Sequence, residues 1–173
     1  MKSSEVSDNT VVVSTLDGRY SIEITKDLLN DVAKTIKHSG LNETGGVIVG
    51  YYSTDQHTAI VTSFEPPPKD SKASRFSFQR GTKGLLKRLQ SLWRLKARQY
   101  YLGEWHRHPF GDCSASSVDL EDIKKIARNP DWTCPQPILM IFVLDNDKSI
   151  RFSVNIAIRG AETLYLGTHT QDL

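Results

Sequence analysis

The longest uninterrupted apolar run in the chain, Ile138–Leu144, is bounded by Pro137 and Asp145. It falls far short of the ~20 residues a helix needs to cross a membrane. Its length and composition suit a core strand instead. The chain must therefore build a sheet and find helices to cover it. At 173 residues it fits one domain, long enough to bury a full core without disulfides. Cys113 and Cys134 make no disulfide framework. Apolar residues at 38% and charged residues at 24% argue against global disorder. The opening MKSSEVSDNT has acidic residues and no apolar stretch, so no secretory signal is expected. Residues 1–10 read as a flexible tail, residues 11–173 as the domain, and the cytosol as the compartment.

Val11–Ser14 and Tyr20–Ile24 are strand-like runs around Asp17-Gly18, a hairpin signal. Thr25 suits a helix N-cap, and Leu28, Leu29, Val32, Ala33 and Ile36 follow at helical spacing up to Gly40. Glu43-Thr44-Gly45-Gly46 leads into a buried strand, Val47–Tyr52. Thr58–Phe64 is its antiparallel partner, ended by Pro66-Pro67-Pro68. Lys69–Arg80 reads as an exposed loop with a short strand near Phe76–Phe78. From Thr82 to Gln99, the positions Leu85, Leu86, Leu89, Leu92 and Trp93 form a helical stripe. Tyr100–Trp105 reads as a strand ending at His106, and Ser116 as the cap of a helix reaching about Arg128. Pro137–Leu144 is a strand, Asp145–Lys148 a turn, and Ile150–Ile158 a returning strand. Strands and helices interleave without a repeated βαβ unit. The order predicts an α/β fold with a mixed, largely antiparallel β-sheet flanked by helices.

Net charge is only +2, but unevenly spread. Lys69 to Arg98 holds ten Lys/Arg and one acidic residue, Asp70; the remainder carries twelve basic and nineteen acidic residues. Such a field attracts acidic partners, protein or nucleic acid, or is simply a solvated face.

The chemistry concentrates in Gly103-Glu104-Trp105-His106-Arg107-His108-Pro109, followed by Ser116-Ser117-Val118-Asp119. On a strand, His106 and His108 point to one face because the side-chain period is two. Asp119, at a helix start, can fold back to supply an oxygen ligand. Two imidazoles and a carboxylate leave one tetrahedral zinc position open for water, the pattern of a catalytic metal. Such a metal lowers the pKa of water to about 7. Each piece alone has an ordinary explanation. Histidines on a strand are common at surfaces, and Ser-x-x-Asp is a capping pattern. Their joint spacing, with Glu43 upstream, is what singles them out.

His106-x-His108, Ser116-x-x-Asp119 and the upstream Glu43 resemble the JAMM motif of the MPN+/JAB metalloprotease family at all five signature positions. GGVIVG after Glu43 and SSVDL are similar to that family too. GEWHRHP, the compact length and PPPKDSKASRFSF are similar to its prokaryotic branch. Members of that branch are encoded with ubiquitin-activating-like and conjugating-like enzymes in antiphage operons, notably CBASS. There they reverse conjugation of the operon's nucleotidyltransferase to targets. The resemblance implies a single MPN (JAB)-like domain and one Zn²⁺ per chain held by His106, His108 and Asp119. It implies Glu43 as the general base, taking a proton from the attacking water and passing it to the leaving amine. Ser116 would donate its hydroxyl to the oxyanion. The bond cut would be the amide joining the C-terminus of a ubiquitin-like modifier or nucleotidyltransferase to a target protein. The implied partners are protein conjugates and operon-encoded conjugating enzymes, with neither membrane nor nucleic acid required. The alternatives are a family member working in a DNA-repair context and a non-catalytic MPN scaffold, though a scaffold would lack ligands that are all present here.

Several neighbours bear on the site. Glu104 shares a face with both histidines and rivals Glu43 as base; family placement favours Glu43, leaving Glu104 to orient an imidazole. Cys113 is a candidate fourth ligand, a nucleophile paired with a histidine, or an inert loop thiol, and Cys134 a packing residue. His38, His57 and His169 read as surface residues. In the family, flanking segments grip the modifier's tail; here the candidates are Lys69–Phe78 and Arg128–Pro137. Trp132 is an anchor or a core cap. Lys83, Lys87, Arg88 and Arg94 could dock an acidic partner or serve solubility.

Overall fold

The computed structural model describes residues 8–145 and 148–173. The Asp17-Gly18 hairpin forms: β1 (Thr10–Ser14) and β2 (Ser21–Thr25) pair antiparallel with Ser14 opposite Ser21. Thr25 closes β2 and caps α1 (Lys26–His38), its hydroxyl accepting the Leu28 N–H. Leu29, Val32, Ala33 and Ile36 are buried beneath that helix. Gly40, at φ +61°, turns the chain out of it through a left-handed conformation that other residues adopt only under strain.

The chain then lays down β3 (Thr44–Tyr52), β4 (Thr58–Phe64), a small hairpin of β5 (Lys72–Ala73) and β6 (Phe78–Gln79), α2 (Leu85–Trp93) and β7 (Tyr100–Arg107). It ends with α3 (Ser117–Arg128), β8 (Ile138–Asp145), β9 (Ser149–Ile156) and β10 (Leu164–Asp172). The main sheet runs in the order β1-β2-β4-β3-β7-β8-β9-β10. Its neighbours are antiparallel except for β2–β4 and β7–β8, which are parallel. This is the mixed, largely antiparallel sheet that the pattern predicts.

The apolar run Ile138–Leu144 is explained by its two covers. Ile138, Met140 and Phe142 of β8 enter the main core with Ile36, Trp105 and Phe152. Leu139, Ile141 and Val143 enter a second core under α3, with Ile123, Ala127 and Cys113. A strand buried on both faces has no position for a polar side chain. A third, smaller core sits under α2, where Leu92 meets Val47, Val49, Tyr101 and Cys134. Among the described residues no helix is long and apolar enough to cross a membrane.

Several expectations need correction. The second helix stops at Trp93 rather than Gln99. Leu92 O accepts the N–H groups of both Leu95 and Gln99, folding the basic stretch back toward β7. Only one line of its stripe, Leu85, Leu89 and Leu92, reaches the core, while Leu86 and Trp93 stay 70% and 50% exposed. The sheet also has an edge strand that the pattern does not reveal, β10, in which Leu166 is the one buried residue. The third strand begins three residues before Val47, at Thr44. Finally, Asn9 and Thr10 are tied down: Thr10 opens β1, and Asn9 O accepts the Lys26 N–H. The rest of the expected tail, and Asn146 and Asp147 of the expected turn, lie outside the described residues.

Phe142 is fully buried where rings converge, 5.5 Å from Phe64, 6.1 Å from Trp105 and 5.6 Å from Phe152. Phe142→Ala is expected to cost about 3–5 kcal/mol of unfolding free energy. Urea titration followed by circular dichroism measures it; a loss below about 1 kcal/mol would mean that the cavity collapses and the strand is less constrained than its packing implies.

Candidate active site

The site forms where β3 begins and β7 ends. These strands pair antiparallel with Thr44 opposite Arg107 and Gly45 opposite His106. Glu43 immediately precedes the ladder, and His108 continues beyond it, its N–H donating to Phe142 O at 2.9 Å. Gly45 is required by what surrounds it. A Cβ there would lie 2.4 Å from Trp105 O, 2.8 Å from the Phe78 ring and 2.9 Å from the His106 ring.

Asp119 joins this strand end to α3. Its Oδ1 lies 3.1 Å from His106 Nδ1, and its Oδ2 lies 3.6 Å from His108 Nε2. Oδ2 also accepts the Ser116 N–H at 2.9 Å and the Ser116 hydroxyl at 2.6 Å, while Ser116 Oγ accepts the Asp119 N–H at 3.2 Å. Ser116 and Asp119 are thus a complete capping box. Burial alone would raise the Asp119 pKa, but contacts from both imidazoles and from Ser116 hold its carboxyl far below the usual carboxylate range. The same carboxylate raises His108 above the ordinary imidazole value, against the effect of burial.

Glu43, His106, His108, Ser116 and Asp119 line one cleft of about 420 Å³. The half-buried Glu43 carboxyl is pushed up by desolvation; the two imidazoles pull it down, and Asp119 adds to the rise. Phe76, Phe110 and Val118 form an apolar mouth, 82%, 53% and 66% exposed.

Among the described residues no three His, Cys, Asp or Glu side chains stand as a finished metal cluster. What exists is two histidine contacts sharing one carboxylate. The donor chemistry fits zinc: two imidazoles and a carboxylate. Each imidazole has a nitrogen beside a different oxygen of the one carboxylate, His106 Nδ1 by Oδ1 and His108 Nε2 by Oδ2.

The chain matches the family model described as prokaryotic homologs of the JAB domain over residues 25–155. A protein of Enterobacter hormaechei subsp. hoffmannii named "CD-NTase/cGAS isopeptidase" is 35% identical over 92% of this chain and 87% of its own length. This chain belongs to the prokaryotic JAB family. A solution structure of a protein from Desulfitobacterium hafniense shares the fold, with a TM-score of 0.58 at 19% identity over 82% of this chain and 86% of that one.

Other residues of this JAB domain match their expected places only in part. Glu104 does not orient an imidazole: its carboxylate accepts Arg80 Nε at 2.7 Å and Tyr101 Oη at 2.9 Å. Through Arg80 it holds down the β5–β6 hairpin, whose Phe78 stands edge-on to His106 at 5.6 Å. Glu43 N donates to Ser74 O of the same hairpin at 2.8 Å. Phe78, Ser74 and Arg80 build the site from outside the motif, and the aromatic pair Phe76-x-Phe78 in an otherwise polar stretch is their signal in the sequence. Cys113 is buried in the second core, where its carbonyl accepts the Ser153 hydroxyl, so it is neither nucleophile nor ligand. Cys134 packs under α2, its thiol pushed up to about 12 by burial. Trp132 stacks edge-on to Tyr101 at 5.0 Å as a core cap. Lys69–Phe78 does reach the cleft, whereas Arg128–Pro137 is clamped elsewhere by Arg159. Arg88 is taken by Glu65, at 2.8 and 3.0 Å. His38 and His57 are exposed as expected, but His169 is half-buried against Phe152.

Glu104→Ala is expected to destabilise the fold by about 3–5 kcal/mol, because Arg80 and Tyr101 lose their shared partner in a nearly closed site. Limited proteolysis should then cut within residues 69–84 first. An unchanged midpoint in denaturant, with that segment still protected, would remove Glu104 as the clamp.

Proposed function

We propose that this JAB domain is a zinc-dependent isopeptidase of the cytosol, one ion per chain. Its substrate would be a target protein joined to the C-terminal carboxyl of a conjugated nucleotidyltransferase, or of a ubiquitin-like modifier. The observation that carries this reading is the single cleft shared by Glu43, His106, His108, Ser116 and Asp119. The name of the Enterobacter relative, CD-NTase/cGAS isopeptidase, supports the choice of substrate. His106, His108 and Asp119 would hold the ion. When bound, zinc supplies an acidified water and polarises a carbonyl.

The chain's own residues do the rest. Asp119, held ionised by its neighbours, keeps both imidazoles aimed into the cleft. Glu43, with its carboxyl raised by burial, accepts the proton of the attacking water and returns it to the leaving amine. The Ser116 hydroxyl turns from Asp119 to the developing oxyanion, where one donor is worth ~2.7–4 kcal/mol of barrier. The apolar mouth of Phe76, Phe110 and Val118 flanks an extended tail and keeps bulk water from the reacting amide. The exposed edge of the β5–β6 hairpin gives that tail a strand to pair with.

The test uses purified protein with a panel of conjugates, some ending in a nucleotidyltransferase tail and some in a ubiquitin-like tail. Release of target is expected, abolished by chelation and restored by zinc. Glu43→Gln should lower turnover by ~10²–10⁴-fold with its circular dichroism unchanged. Undiminished cleavage by that variant, or an intact panel after zinc loading, would overturn the reading.

A further inference from the structure

Arg107 lies between the two histidines on β7, its side chain on the opposite side of the strand from their imidazoles. It is 8% exposed. Its Nη1 reaches the stretch that links α1 to β3, donating to Gly40 O at 2.7 Å and Asn42 O at 2.9 Å, with Ser39 Oγ at 3.4 Å. Asn42 is the residue before Glu43. The residue after it, Thr44, is the one that Arg107 faces across the β3–β7 ladder. Glu43 itself is outside the ladder and is bracketed on both sides by this one arginine.

Stability alone does not account for the arrangement. Arg107 Nε is buried and has no hydrogen-bond partner. Desolvating a guanidinium with an unmatched donor is costly, and the acceptors it does find are backbone carbonyls and one hydroxyl. An unbranched apolar side chain would fill the same space without that cost. What only the guanidinium supplies is a rigid link from the histidine strand to the Glu43 loop.

We infer that Arg107 is the positioning residue for Glu43, fixing the carboxylate at its place relative to the imidazoles by holding the carbonyls of Gly40 and Asn42. The inference rests on Glu43 acting as the base. Misplacing a catalytic group by an ångström costs up to about 10²-fold in rate.

The experiment compares wild type, Arg107→Met and Arg107→Lys in three ways. In Arg107→Met, amide hydrogen exchange over residues 40–44 should accelerate at least about tenfold while β8 and β9 keep their protection. Bound zinc should stay at the wild-type stoichiometry. On a cleavable conjugate, kcat should fall roughly 10–100-fold with KM near its original value, Arg107→Lys should recover part of the loss, and Arg107→Met should add nothing in a Glu43→Gln background. Unchanged exchange at residues 40–44 overturns the inference, as does a kcat loss that adds in full to that of Glu43→Gln. Should Arg107→Met not fold, Arg107→Lys reads the same exchange. The exchange measurement needs no activity, so a wild type that cleaves nothing sinks the isopeptidase reading while the link between Arg107 and the loop is still decided.

Discussion

The pairing of β3 with β7 is the constraint from which the site follows. Its register sets Gly45 against His106 and Thr44 against Arg107. A slip of one residue would turn both imidazoles to the core side and bring Arg107 into the cleft, since alternate side chains face opposite ways. Two features prevent the slip. Trp105 is fully buried in the main core and donates its indole N–H to Glu65 O at 3.0 Å. The His106 and Phe78 rings fill the space that the missing Cβ of Gly45 leaves open. The apolar character of one face and the absence of a side chain on the partner strand specify the same register.

Glu43 belongs to no element, so its position is set by contacts from outside. Ser74 O takes its N–H from the side of the β5–β6 hairpin, and Arg107 holds the preceding carbonyls from the side of β7. The hairpin in turn depends on Arg80 and the buried Glu104–Tyr101 pair. β7 is therefore the common frame: Tyr101 and Glu104 anchor the hairpin, Arg107 the loop, and His106, with His108 just past the strand end, faces the cleft. A single strand and its end supply the groups that determine where the hairpin, the Glu43 loop and the start of α3 meet. Small displacements along it would be felt at every one of them.

The sequence was legible where local signals and burial agree. Thr25 and Ser116 cap the helices they were expected to cap, and Ile138–Leu144 is central because both its faces are covered. It misled where a residue acts through a distant partner. Glu104 has the right parity to serve the histidines, yet its partners are Arg80 by the hairpin and Tyr101 three residues earlier on the same strand, which no spacing rule reveals. Gly45-Gly46 weakens a strand signal, so β3 reads as starting at Val47, although a side chain at Gly45 would meet Trp105 O and the Phe78 ring of the hairpin, and one at Gly46 would meet Glu65 O and the Trp105 indole. β10 is polar on one side and pairs only with β9 at the sheet edge, leaving little apolar pattern to find. The basic stretch after Trp93 has helical composition, but Tyr100 must begin a strand directly after it, and the chain turns back instead.

Ser116-x-x-Asp119 reads equally as a helix cap and as a ligand pattern, and the two readings are compatible because a carboxylate has two oxygens. Oδ2 takes the N–H and hydroxyl of Ser116 and lies 3.6 Å from His108 Nε2, while Oδ1 faces His106. The cap fixes the plane of the carboxylate, and that plane decides where the free lone pairs of Oδ1 point. Capping is thus how α3 delivers an oriented oxygen to the end of β7, at the positive end of its own dipole, where a carboxylate is most easily kept ionised. The Ser116 hydroxyl can leave Asp119 without undoing this, since its backbone N–H still holds Oδ2 at 2.9 Å. A serine at the cap can therefore turn into the cleft while the carboxylate beside it stays in place. An alanine there would spare the backbone contact and remove both the hydroxyl's hold on Asp119 and its reach into the cleft.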